Sequence, residues 1–144
     1  MVRELEREEV DELLRTQVVG RVGCHAGGET YVVPVIYAYD GEALYVLTVE
    51  GRKTSMLREN PHACFEVDEY PGPGIWRSAI VQGIYEELEG EAAEKALALL
   101  AARFPGGGPS RPRAGDRPTV AFRIRVADVT GRASARYSSQ PTET

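Results

Sequence analysis

The 144-residue chain has few of the side chains with which enzymes do chemistry unaided: two histidines, two cysteines and one tryptophan. His25 and His62 stand in no ligand spacing such as HxxxH, and each neighbours a turn or a proline, the setting of a solvated or capping imidazole. Cys24 and Cys64 form no CxxC pair. Each lies in a strand-like apolar run, where cysteine behaves as a small buried hydrophobe, so both are expected in the core. There is no GxSxG elbow, no P-loop and no GxGxxG, which leaves hydrolase, nucleotidase and dinucleotide-fold readings without an anchor. An enzyme with this inventory needs a cofactor to carry the hard chemistry.

Long apolar runs and basic excess are missing as well. The stretches Tyr31 to Ala38 and Ala96 to Ala102 are far too short to span a bilayer as a helix. Met1 to Glu12 is rich in Glu and Arg, with no apolar core and small-residue cleavage site, so a cytoplasmic protein is expected. A formal net charge of −5 disfavours non-specific binding to nucleic acid or anionic membrane, while leaving room for one local phosphate site. With 42% hydrophobic and 27% charged residues the composition is that of a folded chain, of a size for one domain.

Periodicity supplies the elements. Val10, Leu13 and Leu14 recur at i, i+3, i+4, which predicts a short helix over Glu6 to Arg15 with one apolar stripe. Val18 to Cys24 is β-branched and short, His25 to Glu29 supplies turn chemistry, and Thr30 to Tyr39 is rich in Val, Ile and Tyr. Asp40-Gly41 then marks a tight hairpin into a strand over Leu44 to Val49. Pro34 cannot donate a ladder hydrogen bond, so its strand should have an edge, a bulge or a ligand-facing opening there. A short helix is predicted over Gly51 to Glu59, closed by Asn60-Pro61. Strands over His62 to Val67 and Ile75 to Leu88 are joined by the turn-rich Asp68 to Gly74.

The clearest helix is Glu91 to Phe104, with Ala93, Ala96, Leu97, Leu100 and Phe104 on one face. Phe104 to Pro118, with Arg111, Arg113 and Arg117, reads as a mobile surface loop. Thr119 to Val129 alternates as a half-buried strand, and a small polar tail follows the domain from about residue 132. Short antiparallel strands at hairpin spacing predict a mainly β barrel or meander with helices covering its ends.

One stretch points to binding. Tyr45-Val46-Leu47-Thr48-Val49-Glu50-Gly51-Arg52-Lys53-Thr54-Ser55 ends a strand, turns at glycine and opens a helix with two cations and two hydroxyls. Backbone N–H groups and the positive end of the helix dipole face the space where an anion would sit, and Arg52 can grip phosphate oxygens in fork geometry. Local features leave two readings open: a phosphate cradle, or a pair of solvated first-turn cations.

Taken in order, Gly20-Arg21-Val22, Tyr31 to Tyr37 with Pro34, Tyr45 to Thr48, Gly51-Arg52-Lys53, Asn60-Pro61, Trp76-Arg77-Ser78 through Gly83, and Val129-Thr130-Gly131 resemble the signature of the pyridoxamine-phosphate-oxidase-like FMN-binding proteins. The likeness runs from about Leu13 to Gly131. It implies an antiparallel split β-barrel homodimer with FMN in clefts between subunits, acting as an oxidoreductase on a small-molecule substrate. It also implies that Pro34, Val35, Ile36 and Tyr37 lie along the flavin ring, that Thr48, Gly51, Arg52 and Lys53 hold the phosphate, and that the partner subunit contributes the Trp76, Ser78 and Gln82 strand. Trp76, Ser78, Ile80 and Gln82 do share one strand face by period 2. Tyr37 is a candidate to stack on the ring, and the Arg111 and Arg113 loop to close over it.

Two departures narrow the resemblance. Leu47 stands where relatives associated with nitroimidazole resistance carry histidine, and the C-terminal stretch lacks the tryptophan and arginine with which vitamin B6 oxidases grip substrate. Within the same fold, a deazaflavin (F420)-dependent reductase or a non-enzymatic flavin- or haem-binding module are the rival expectations.

Overall fold

The computed structural model describes residues 1–104 and 118–138. The elements are β1 (Val2–Glu4), α1 (Arg7–Thr16), β2 (Val19–Ala26), β3 (Glu29–Ile36), β4 (Ala38–Tyr39), β5 (Ala43–Val49), α2 (Arg52–Glu59), β6 (His62–Gly72), β7 (Ile75–Leu88), α3 (Gly90–Arg103) and β8 (Thr119–Ser134). The eight strands form one antiparallel sheet in the order β3-β2-β6-β7-β8-β5-β4, with β1 added beside β8. Its path is open, so the sheet is curled and split rather than closed, as expected for a mainly β split barrel with covering helices.

Period 2 sorts the long strands into two faces. Val22 and Cys24 of β2, Phe65 and Val67 of β6, Ala79 and Val81 of β7, and Phe122 and Ile124 of β8 point inward to one core. α1 closes that core with Val10, Leu13 and Leu14, all nearly inaccessible. Burying such side chains contributes roughly 1.5–3 kcal/mol each. A second, smaller core forms where α3 sets Ala96 against Ala43, Tyr45 and Leu88. Leu97, expected on the packed face of α3, points outward instead, because the helix buries only the narrow stripe of Ala96 and Leu100.

Two glycines of the signature are packing devices. A Cβ on Gly20 would sit 2.2 Å from the Phe65 ring, and one on Gly83 would sit 2.5 Å from the Arg125 carbonyl oxygen. Gly83 lies where the β7–β8 register shifts, so it lets the two backbones close up beside the bulge.

Several predicted boundaries move. β6 continues through the proline- and glycine-rich stretch to Gly72, leaving only Pro73-Gly74 as the turn. β8 runs to Ser134, because Arg132, Ala133 and Ser134 pair with Glu4, Arg3 and Val2 of β1; the polar tail therefore begins later than residue 132. β1 itself carries no periodic signal in three residues. The run Thr30 to Tyr39 is broken at Tyr37 into β3 and β4. Residues 105–117, including Arg111, Arg113 and Arg117, lie outside the described residues, as does 139–144.

Candidate functional site

The Gly51 turn is assembled by Thr54. Its side chain is wholly buried, its hydroxyl accepts the Gly51 N–H at 3.0 Å and lies 2.9 Å from the Gly51 carbonyl, and it is also 3.3 Å from the Glu50 carboxylate. Glu50 is held further by Arg58, which donates to its Oε2 at 2.9 Å. Gly51, as the residue capping α2, has no side-chain oxygen to offer the first-turn N–H groups, and no acidic residue occupies that turn. The end of α2 thus presents uncapped donors and positive charge together.

Its two cations behave differently. Arg52 is exposed, ion-paired with Glu29 at the start of β3, and lies 5.1 Å over the Tyr31 ring. Lys53 is half-buried, and burial pulls its ammonium below the ordinary lysine range. No carboxylate pairs with it among the described residues. A desolvated cation without a counter-charge is costly, and a bound anion would relieve that cost. These residues fit a phosphate group: Lys53 has no carboxylate partner among the described residues, Arg52 holds only an exposed carboxylate, and the first-turn N–H groups of α2, which receive no oxygen from the Gly51 cap, supply further donors. Thr48, three residues before the turn, is half-buried, and its hydroxyl has only a long 3.5 Å contact with the Val49 carbonyl.

The predicted ring-facing stretch is split by the pleat. Pro34 and Ile36 point to the outer face of the sheet, whereas Val35 packs against the core. β3 pairs with β2 alone, so Pro34 does sit on an edge strand. Tyr37 is a correction. It is fully buried, its hydroxyl donates to the Leu14 carbonyl at 2.7 Å, and its ring meets Phe65 edge-on. Its N–H also donates to the Val18 carbonyl. Tyr37 ties α1 to the barrel and cannot stack on a ligand.

Trp76, Ser78 and Gln82 share the outer face of β7 with Ile80. Register continues that face across the sheet: Ile80 opposes Glu66, Glu66 opposes Arg21, and Arg21 opposes Pro34. Arg21 bridges Glu66 at 3.2 Å and Asp68 at 3.3 Å. Burial and the like charge of Asp68 push the Glu66 carboxyl up to about 7. Around these charges stand Val19, Val32, Ile36 and Ile80, each more than two-fifths exposed. Cys64 belongs to this face too, with Gln82 donating to its sulfur at 3.7 Å, so only Cys24 is a core cysteine as expected. His25 contacts the Thr30 hydroxyl at 3.0 Å and His62 is exposed, both at the surface.

A hollow of about 540 Å³ contains none of the predicted cofactor residues; it lies among Arg7, Glu42, Tyr45, Arg123 and Arg125. Its arginines are already neutralised, Arg7 by Asp11 and the other two by Glu86. Charge therefore favours the α2 turn over this hollow. Among the described residues no group of three or more His, Cys, Asp or Glu is placed to hold a metal, and no helix is long and apolar enough to cross a membrane.

Residues 6–133 match the family model described as pyridoxamine 5'-phosphate oxidase. The chain belongs to that family. An uncharacterized protein of Rhizobium meliloti, RA0666, is 30% identical to it, covering 92% of this chain and 95% of the relative. Among solved structures, an FAD-binding protein of Mesorhizobium loti is 32% identical, with a TM-score of 0.78 over 94% of this chain and 98% of that one. An FAD-binding protein of Mycobacterium smegmatis shares the fold at 22% identity, TM-score 0.70, over 92% and 98% of the two chains.

Roles that sequence reasoning did not assign are those of Thr54, which builds the turn, Glu29, which occupies Arg52, and Arg21 with Glu66 on the outer face. The pairing of Arg21 with Glu66 needs strand register to be seen. Thr54 alone had a local signal, a hydroxyl three residues after a glycine cap.

Proposed function

We propose that this protein binds a flavin, with FMN as the minimal form, by its phosphate at the Gly51-Arg52-Lys53 turn, and works as a flavin-dependent oxidoreductase on a small-molecule substrate. The observation that carries the reading is Lys53: a half-buried, desolvated ammonium with no carboxylate partner among the described residues, beside a helix end whose glycine cap offers no side-chain oxygen and whose first turn holds no acid. Arg52 would exchange Glu29 for the phosphate, and Thr48 would add a hydroxyl. The FAD-binding relative from Mesorhizobium loti supports a flavin. When bound, a flavin supplies hydride and electron exchange; the chain supplies grip, orientation and exclusion of water.

The protein is further proposed to be a homodimer, joined through the outer face of β3-β2-β6-β7-β8, in the cytoplasm. Support comes from the exposed Val19, Val32, Ile36 and Ile80, an apolar set broken by the Arg21, Glu66 and Asp68 network, which a second copy would cover. Such pairing would bring Trp76, Ser78 and Gln82 of one subunit toward the other subunit's cleft.

The visible spectrum of the purified protein tests the cofactor. Flavin bands, bleached anaerobically by NADH or NADPH, are expected. A deazaflavin or haem spectrum, or flavin that neither nucleotide reduces, would contradict the oxidoreductase reading in this form. Dilution to monomer should release the flavin, and a monomer that keeps it would contradict the interface.

A further inference from the structure

Glu50 stands immediately before the Gly51 cap of α2, where a carboxylate would ordinarily turn onto the first-turn N–H groups and the positive end of the helix dipole. It precedes Lys53 by three residues, and its Oε1 lies 3.3 Å from the Thr54 hydroxyl that builds the turn. An acid so placed could close the anion site from within. Its carboxylate is instead taken by a cation from the far turn of the same helix.

That cation is Arg58, in the last turn of α2. Both of its terminal nitrogens donate to Glu50, Nη1 to Oε1 and Nη2 to Oε2 at 2.9 Å, a bidentate fork that a lysine could not form. Its Nε donates to Glu87 of β7, and the same Glu87 oxygen accepts the Tyr85 hydroxyl at 2.8 Å. Tyr85 is buried, and its N–H donates to the Pro61 carbonyl just beyond α2, so a strand packed into the core aims the guanidinium. Arg58 holds the Glu50 carboxyl below the usual carboxylate range, whereas burial lowers the Lys53 ammonium and no carboxylate raises it. The Arg58–Glu50 pair is partly exposed and adds little to stability. What it decides is which cation Glu50 neutralises.

We infer that Arg58 is a positioning residue that withholds Glu50 from the α2 turn and thereby sets the preference of the site for a phosphorylated ligand. It rests on the proposed flavin binding only for the identity of the anion; the hold on Glu50 is a property of the protein alone.

FMN and riboflavin titrations of wild type, Arg58→Met, Arg58→Met/Glu50→Gln and Arg58→Met/Glu87→Gln test it, beside trace acetylation of Lys53 in the flavin-free proteins followed by peptide mass spectrometry. Arg58→Met should cut the preference for FMN over riboflavin by at least about tenfold, the equivalent of one charge-assisted bond, and leave riboflavin affinity unchanged, which a general loosening of the site would not. Glu50, once released, should stabilise the Lys53 ammonium and slow its acetylation at least about threefold. Adding Glu50→Gln should restore both readouts. Adding Glu87→Gln, which restores the same net charge away from the turn, should restore neither. Equal recovery from the two glutamine substitutions would reduce Arg58 to a general field and overturn the inference. So would a loss that Glu50→Gln does not repair, or an Arg58→Met protein with the wild-type preference and Lys53 reactivity. A wild type that binds riboflavin as tightly as FMN, with Lys53 acetylation slowed in Arg58→Met and recovered by Glu50→Gln, would sink phosphate capture alone and leave the hold on Glu50 standing.

Discussion

The N-termini of α1 and α2 face the same physical problem and meet it in opposite ways. α1 is closed by the chain's own carboxylates: Glu9 reaches back to the Glu6 N–H at 3.3 Å, Glu8 joins it in the first turn, and Arg3 clamps Glu9 at 3.1 Å. α2 has a glycine cap, no acid in its first turn, and two cations at the wrong end of its dipole. Glu50, the nearest acid, is drawn off by Arg58 and Thr54. One terminus is finished within the chain; the other is complete only with an anion from outside.

Substitutions at the open end should therefore cost binding, and those at the closed end stability. Arg52→Ala/Lys53→Ala should weaken FMN by roughly 2–5 kcal/mol while the protein stays folded, because charge-assisted bonds to a dianion are lost from side chains that carry little packing. Calorimetric titration beside a thermal melt checks both halves. The same lysine gives a pH signature. Its ammonium titrates below the ordinary 10.5 because burial disfavours the charge, so flavin affinity should fall as pH rises, starting earlier than for an exposed lysine. In Lys53→Arg, whose charge persists, that early decline should disappear.

Thr54→Val keeps the shape and removes the hydroxyl that holds Gly51 at both its N–H and its carbonyl. A loss of about 1–3 kcal/mol in stability is expected from the orphaned N–H, with weaker flavin binding as the turn loosens. Glu9→Ala, at the closed end, should cost about 1 kcal/mol in denaturant unfolding and leave flavin affinity unchanged. Equal effects on binding from Glu9→Ala and Thr54→Val would erase the distinction between the termini.

Smallest is Glu29→Gln. It frees Arg52 from an exposed ion pair worth at most about 1 kcal/mol, so FMN should bind up to about fivefold more tightly. A loss of affinity would show that Glu29 orients Arg52 rather than competing for it.

The sequence carried the fold where signals were local. The stripe of Val10, Leu13 and Leu14, the Asp40-Gly41 hairpin and the alternation in β8 each state their own geometry, and the order of the family motifs joined them. Pro34 announced an edge, a bulge or an opening because a missing N–H has only a few places to go, and β3 is an edge strand. What was illegible depended on partners remote in the chain. β1 exists because the end of β8 offers it an edge, and Tyr37 is core because α1 brings the Leu14 carbonyl to its hydroxyl.

The site divides in the same way. Gly51, Arg52 and Lys53 were visible as one strand-to-helix turn, since adjacency in sequence is adjacency in space there. That Arg52 already holds Glu29 while Lys53 pairs with no carboxylate among the described residues was not visible, because Glu29 arrives from the far end of the β2–β3 hairpin. Cys64 misled for a related reason: in a strand, one residue of register separates a core position from the outer face.

The phosphate-capture claim is tested most directly by comparing FMN with riboflavin, which has the same ring and no phosphate, in fluorescence titrations of wild type and Arg52→Ala/Lys53→Ala. Wild type should favour FMN by roughly 30-fold or more, and the double variant should bring the two ligands to within a few-fold of each other. Riboflavin binding as tightly as FMN in wild type, or an FMN preference that survives the loss of both cations, would contradict it.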